Sequence, residues 1–125
     1  MVKGKVLIAD DEVVVRKVIC QILSKDYEVL EAQNGEEAVN IAHNQKPDVV
    51  LMDIMMPGMD GLTACSKIKS DQTTGGIPVV MVTAVGFELN QRFSKDVLGA
   101  DGYITKPFDS QELLRTVRQL SPNSK

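Results

Sequence analysis

Asp10, Asp11, Asp53, Thr83 and Lys106 each stand directly after a short apolar run. Lys5-Val6-Leu7-Ile8-Ala9 ends on the two aspartates, and Val49-Val50-Leu51-Met52 ends on Asp53. Pro78-Val79-Val80-Met81-Val82 ends on Thr83-Ala84, and Gly102-Tyr103-Ile104-Thr105 ends on Lys106-Pro107. Continuous apolar runs with β-branched members read as strands buried on both faces, as in a parallel sheet. The carboxyl ends of such strands share one edge, where open α/β sheets hold their ligands. Side chains distant in sequence therefore converge. Asp53 alone would read as a solvated strand-end carboxylate. Further polar residues at the neighbouring strand ends argue for a site instead.

Three crowded carboxylates repel one another and resist ionisation. A divalent cation with oxygen ligands relieves that repulsion, and a site of carboxylates and water favours Mg²⁺. Lys106 adds a fixed positive charge, Thr83 a hydroxyl donor, and Ala84 with the loop after it backbone amides. Together these groups suit a phosphoryl group, whose transfer depends on positioning and on neutralising its oxygens. A carboxylate can accept the phosphoryl as an aspartyl-phosphate. Asp53, central on the edge, is the expected nucleophile.

The elements that position these residues alternate. Val14, Val15, Val18, Ile19, Ile22 and Leu23 recur at helical spacing after the first strand. Tyr27 to Ala32 partly alternates, as suits an edge strand. Asn34-Gly35-Glu36-Glu37 opens a second helix with Ala38, Ile41 and Ala42 inward and Pro47 as a stop. A Pro-Gly and an Asp-Gly turn the chain after Asp53, and a third helix opens near Asp60 with Leu62, Cys65 and Ile68 inward. A weaker helix, with Leu89, Phe93 and Val97 inward, is expected between Thr83 and Gly99. Asp109-x-x-Glu112 resembles a capping box ahead of a final helix carrying Leu113, Leu114, Val117 and Leu120. Five strands alternating with five helices predict a doubly wound, mainly parallel sheet. The chain reads as one domain from 1 to 125, its core spanning 5–120 and 121–125 forming a polar tail.

At 125 residues, 43% hydrophobic and 25% charged, the composition is that of a globular domain. A net charge of -3 argues against a nucleic-acid or anionic-membrane surface. No apolar run approaches the roughly 20 residues of a membrane helix, and the start lacks a secretory pattern, so a cytoplasmic protein is expected. Cys20 and Cys65 read as buried free thiols. Without a Cys-x-x-Cys and with His43 as the single histidine, a soft-metal site is unsupported. Met55, Met56 and Met59 read either as loop filler or, the favoured reading, as a soft contact surface.

The motifs Ile8-Ala9-Asp10-Asp11-Glu12, Met52-Asp53 through Asp60-Gly61, Val82-Thr83-Ala84, Gly99-Ala100-Asp101-Gly102-Tyr103 and Thr105-Lys106-Pro107-Phe108 occur in order over nearly the whole chain. In that arrangement the sequence resembles a response-regulator receiver domain of two-component signalling, similar to chemotaxis regulators. The resemblance implies a flavodoxin-like, five-stranded parallel sheet of order 2-1-3-4-5 with five helices. It implies that Asp53 is phosphorylated, that Asp11 binds Mg²⁺ directly and Asp10 through water, and that the Met55 carbonyl completes the protein ligands. Lys106, Thr83 and the Ala84 amide would contact phosphoryl oxygens, and Tyr103 would follow Thr83 on activation. Lys106-Pro107 would be a cis peptide. The implied partners are a histidine kinase or histidine phosphotransfer protein as donor, and a protein target or an effector domain as output. The implied output surface comprises the fourth helix, fifth strand and fifth helix. Such a regulator catalyses only its own phosphorylation and dephosphorylation. Gly102 and Thr116 depart from the acidic residue and arginine with which many DNA-binding members tie a symmetric dimer.

Two other readings compete with this one. A pseudo-receiver would keep the fold without phosphorylation, against which all the acidic, hydroxyl and lysine positions are filled. An Asp-nucleophile phosphatase would want a second Asp where Met55 stands, and nucleotide-binding glycine motifs are absent.

Overall fold

Successive side chains of a strand point to opposite faces, and the apolar runs of this chain use that alternation to supply two separate cores. The computed structural model describes residues 4–84 and 99–121, with the backbone alone for Thr83 and Ala84. The elements are β1 (Gly4–Ala9), α1 (Val13–Leu23), β2 (Tyr27–Ala32), α2 (Gly35–Gln45), β3 (Val49–Asp53), α3 (Gly61–Ser70), β4 (Val79–Ala84), β5 (Gly102–Lys106) and α4 (Ser110–Leu120). The helix expected over Leu89, Phe93 and Val97 lies outside the described residues. All strand pairs are parallel, in the order β2-β1-β3-β4-β5. Leu7, Val50, Met52 and Met81 pack on one face with α2 and α3, through Ala38, Ala42, Cys65 and Ile68. Val6, Ile8, Leu51, Val80 and Ile104 pack on the other face with Ile19 and Leu23 of α1 and Leu113 and Val117 of α4. Every residue of β3 is buried, as befits the central strand, whereas Glu28 of the edge strand β2 is exposed.

Side chains cap three of the four helices among the described residues. Asn34 accepts from the Glu37 N–H at 2.8 Å, Asp60 from Thr63 at 2.7 Å, and Asp109 from Gln111 at 3.2 Å. The start of α1 differs, because its N-cap Glu12 makes no side-chain capping bond. Three expectations about burial are corrected. The inward stripe of α1 is Ile19 and Leu23, fully buried, with Val15 and Ile22 partly buried beside them, while Val13, Val14 and Val18 are exposed by 55%, 74% and 43%. That helix carries more apolar residues than one face of the sheet can cover. For the same reason Cys20 is half-buried, not buried like Cys65. Of the three methionines after Asp53, only Met55 is a surface residue, at 63% exposed. Met56 is buried in the α2–α3 core and Met59 packs against it.

Candidate functional site

The strand order sets the position of the site before any side chain is considered. The chain leaves β1 toward β2 on one side and returns to pair β3 on the other. This switch point opens a crevice at the carboxyl ends. Asp10 and Asp11 leave β1 there, and Asp53 is the last residue of β3. One carboxylate oxygen from each of the three lies within 4.8 Å of the others. Asp10 is fully buried and Asp53 is 5% exposed, while Asp11 faces solvent. Lys106 Nζ lies 3.1 Å from Asp10 Oδ2, 3.4 Å from Asp53 Oδ1 and 3.9 Å from Glu12 Oε1.

The electrostatics are unbalanced. Burial above all, then the Asp10 and Asp11 charges, push the Asp53 carboxyl up to about 6, with Lys106 pulling the other way. Burial disfavours the Lys106 ammonium, yet its bond to Asp10 and the Asp53 charge outweigh this and raise it. Among the described residues, one ammonium set against three carboxylates leaves negative charge uncompensated. Hard oxygen donors, two buried and one open to water, are the donor set a small divalent cation takes. The residues present fit such an ion.

Local contacts hold this arrangement. The Asp10 N–H donates to the Ala32 carbonyl at 3.0 Å, and Asp10 Oδ1 accepts from the Glu12 N–H at 2.9 Å. Arg16 Nη1 donates to the Asp10 carbonyl at 2.6 Å and Arg16 Nε to Glu31 Oε1 at 3.0 Å. On the β3 side, the Ile54 N–H donates to Val82 O at 3.2 Å, and the Gly61 N–H to Ile54 O at 2.9 Å. A Cβ at Gly61 would stand 1.9 Å from the Asp53 carbonyl oxygen, so only glycine lets α3 begin this close to the strand end.

The other expected residues distribute around this centre. In the β4–β5 ladder Thr83 stands opposite Thr105 and Ala84 opposite Lys106; the Thr83 hydroxyl is outside the described atoms. Tyr103 is opposite Met81, and its half-buried ring packs against the α2–α3 core. Met55, two residues past Asp53, lines a groove with Asp11, Pro57, Asp60 and Leu62. The Lys106–Pro107 peptide is cis. Arg16, Glu31 and Glu12 were not singled out in the sequence. A charged residue in the first turns of a helix, or on an edge strand, ordinarily reads as solvated. The available signal was a lone arginine among valines, six residues after Asp10.

The family model for the response regulator receiver domain matches residues 6–118. PhoB, the phosphate regulon transcriptional regulatory protein of Pseudomonas aeruginosa, is 41% identical over 119 residues, covering 94% of this chain and 52% of PhoB. The response regulator PleD of Caulobacter vibrioides is 40% identical over 119 residues, covering 94% of this chain and 26% of PleD. The chain thus spans about half or less of the length of these relatives. Among solved structures, the chemotaxis protein CheY4 of Vibrio cholerae superposes with a TM-score of 0.87 at 28% identity, covering 94% of this chain and 98% of that one. The receiver domain of the sensor histidine kinase PA1611 of Pseudomonas aeruginosa has a magnesium ion coordinated in its active site cleft. It superposes with a TM-score of 0.85 at 28% identity, covering 94% of this chain and 97% of that one. With the flavodoxin-like sheet, the acidic crevice at its switch point and a family match over most of its length, the chain belongs to the response regulator receiver domains of two-component signalling.

Proposed function

We propose that Asp53 accepts a phosphoryl group from a phosphohistidine and that the resulting aspartyl-phosphate switches the output surface of the domain. The observation that carries this reading is the cluster itself. Asp10, Asp11 and Asp53 oxygens lie within 4.8 Å of one another, with Lys106 Nζ 3.4 Å from Asp53. In the transfer, an Asp53 carboxylate oxygen attacks phosphorus, a P–O bond forms and the P–N bond breaks, the electron pair leaving with the donor imidazole. Asp53 must be ionised to attack, and with its carboxyl at about 6 it is so at neutral pH. Mg²⁺ held by Asp10, Asp11, Asp53 and the Met55 carbonyl would neutralise charge on the phosphoryl oxygens. Lys106 already bonds Asp53 and has only to turn its ammonium to an arriving phosphoryl oxygen. The Thr83 hydroxyl and Ala84 amide serve the remaining oxygens. Thr83 moves toward the phosphoryl, Tyr103 follows into the space beneath, and the β5 face with its flanking helices changes shape.

The domain works as one unit over 5–120, in the cytoplasm, and acts catalytically only on its own phosphorylation and dephosphorylation. Its donor is a histidine kinase or histidine phosphotransfer protein; its output is a protein target or an effector domain, with no nucleic acid or membrane contact of its own. What supports a donor docking on α1 is the exposed Val13, Val14 and Val18 on the helix that leaves Asp11. No helix among the described residues is long and apolar enough to cross a membrane.

Intact-mass measurement after incubation with acetyl phosphate and Mg²⁺ tests the acceptor. One phosphoryl is expected on the native chain, none without Mg²⁺, and none on Asp53→Asn. Equal uptake by Asp53→Asn would move the acceptor to another residue.

A further inference from the structure

We infer that Arg16 is a positioning residue for the acidic site, acting through the backbone of Asp10. The inference rests on the metal-binding role proposed for Asp10 and Asp11. Its own support is a contact set that serves no other evident purpose. Arg16 is almost enclosed, its side chain 12% exposed. Its Nη1 donates to the Asp10 carbonyl at 2.6 Å, at the short end of charge-assisted bonds. Its Nε donates to Glu31 Oε1 at 3.0 Å, and Lys17 Nζ takes the second oxygen, Glu31 Oε2, at 3.1 Å. Glu31 thereby fixes the guanidinium plane from the edge strand β2, while Arg16 grips the turn that carries both aspartates.

The turn needs such a grip. The carbonyl that Arg16 holds lies just past the last β1–β2 ladder pair, where Asp10 N–H is bonded to Ala32. The N-cap Glu12 of α1 makes no side-chain capping bond, so the usual anchor of a helix start is missing. Besides the Asp10 N–H bond to Ala32 and the Lys106 ion pairs with the Asp10 and Glu12 side chains, the turn is held by the Asp10 bond to the Glu12 N–H and by Arg16 at its backbone carbonyl. Arg16 touches neither Asp53 nor an arriving phosphoryl; it fixes the peptide from which Asp10 and Asp11 project. Partners one step removed from a metal commonly set its affinity by about 10- to 100-fold.

The test uses Arg16→Met, Arg16→Lys, Glu31→Gln and, as a control for the metal itself, Asp11→Asn. Two readouts are taken: amide hydrogen exchange without metal, and Mg²⁺ titration followed by amide chemical shifts. Arg16→Met should speed exchange of the Glu12 amide by about tenfold or more relative to β3 amides and weaken Mg²⁺ binding by about tenfold. Arg16→Lys should recover part of both effects, since an ammonium can keep one of the two bonds, and Glu31→Gln should fall between. A folded Arg16→Met with native exchange at Glu12, or with native Mg²⁺ affinity, overturns the inference. So does uniform acceleration of all core amides, which would make Arg16 a support of the whole fold. A native protein whose Mg²⁺ titration matches that of Asp11→Asn defeats the metal reading instead, and the exchange data alone then decide for or against the clamp.

Discussion

Asp53 is asked to be two things that oppose each other, a buried group and an ionised one. Burial and the neighbouring aspartates push its carboxyl up to about 6, against Lys106. The folded state therefore holds the Asp53 proton more tightly than the unfolded chain does. Its stabilising contribution is complete below the ordinary carboxylate value of 3.8 and is lost as pH rises through about 6. Above that pH the ionised carboxylate costs the metal-free fold on the order of 2 kcal/mol, once screening by water at the exposed Asp11 is allowed for. Asp53→Asn should therefore raise the melting temperature in EDTA at pH 8 and lose that advantage near pH 4. Saturating Mg²⁺ should erase most of the difference at pH 8 by stabilising the native chain. A variant no more stable than the native chain at pH 8 in EDTA would show that Lys106 already compensates the charge. The neighbouring Met55 bears on lifetime. Exposed and apolar, it offers attacking water no hydrogen bond, so Met55→Asn should shorten the half-life of the phosphorylated form, as read by intact mass over time.

At the scale of elements, the junction of β3 and α3 is the tightest part of the site. Gly61 leaves no room for a side chain because the obstacle is the Asp53 backbone rather than a movable side chain. Gly61→Ala should destabilise the fold by at least about 1–3 kcal/mol, as overpacking does, and slow phosphorylation by acetyl phosphate in the molecules that remain folded. Urea melting and intact mass read the two effects separately; unchanged values for both would mean that the junction opens freely. The same junction shows what was legible beforehand. The strands were readable because a run buried on both faces leaves no alternative to a parallel sheet, and each run ended on a polar residue at the shared edge. Asp109 announced its helix through capping chemistry, and Glu36 and Glu37 announced theirs through the carboxylates of a first turn. The valines of α1 misled, because helical periodicity reports which residues are apolar but not how many of them a neighbouring sheet has room to cover. Arg16 and Glu31 were invisible for a related reason. Their meeting depends on how α1 crosses β2, which local sequence does not encode.

At the scale of the whole molecule, the proposed switch would turn a change of a few atoms at one edge into a change of surface. Adding a phosphoryl mimic such as beryllofluoride with Mg²⁺ should shift amide resonances across residues 84–108 as well as around Asp53, including Tyr103 on β5. Shifts confined to the loop after Asp53 would leave the β5 face outside the switch. The pairing of that strand has a further consequence, concerning how the chain is made. Lys106 meets Asp10 across 96 residues and Asp53 across 53. Contacts of such separation form late, because loop closure costs entropy that local structure does not repay. A nascent chain emerging amino-end first at about 5–20 residues per second presents Asp53 several seconds before Lys106. Until β5 docks, the three carboxylates face one another with no ammonium among them. On the proposed function, competence to take a phosphoryl group would therefore arrive only with the last strand, and half-made molecules would be silent in the signal they later carry.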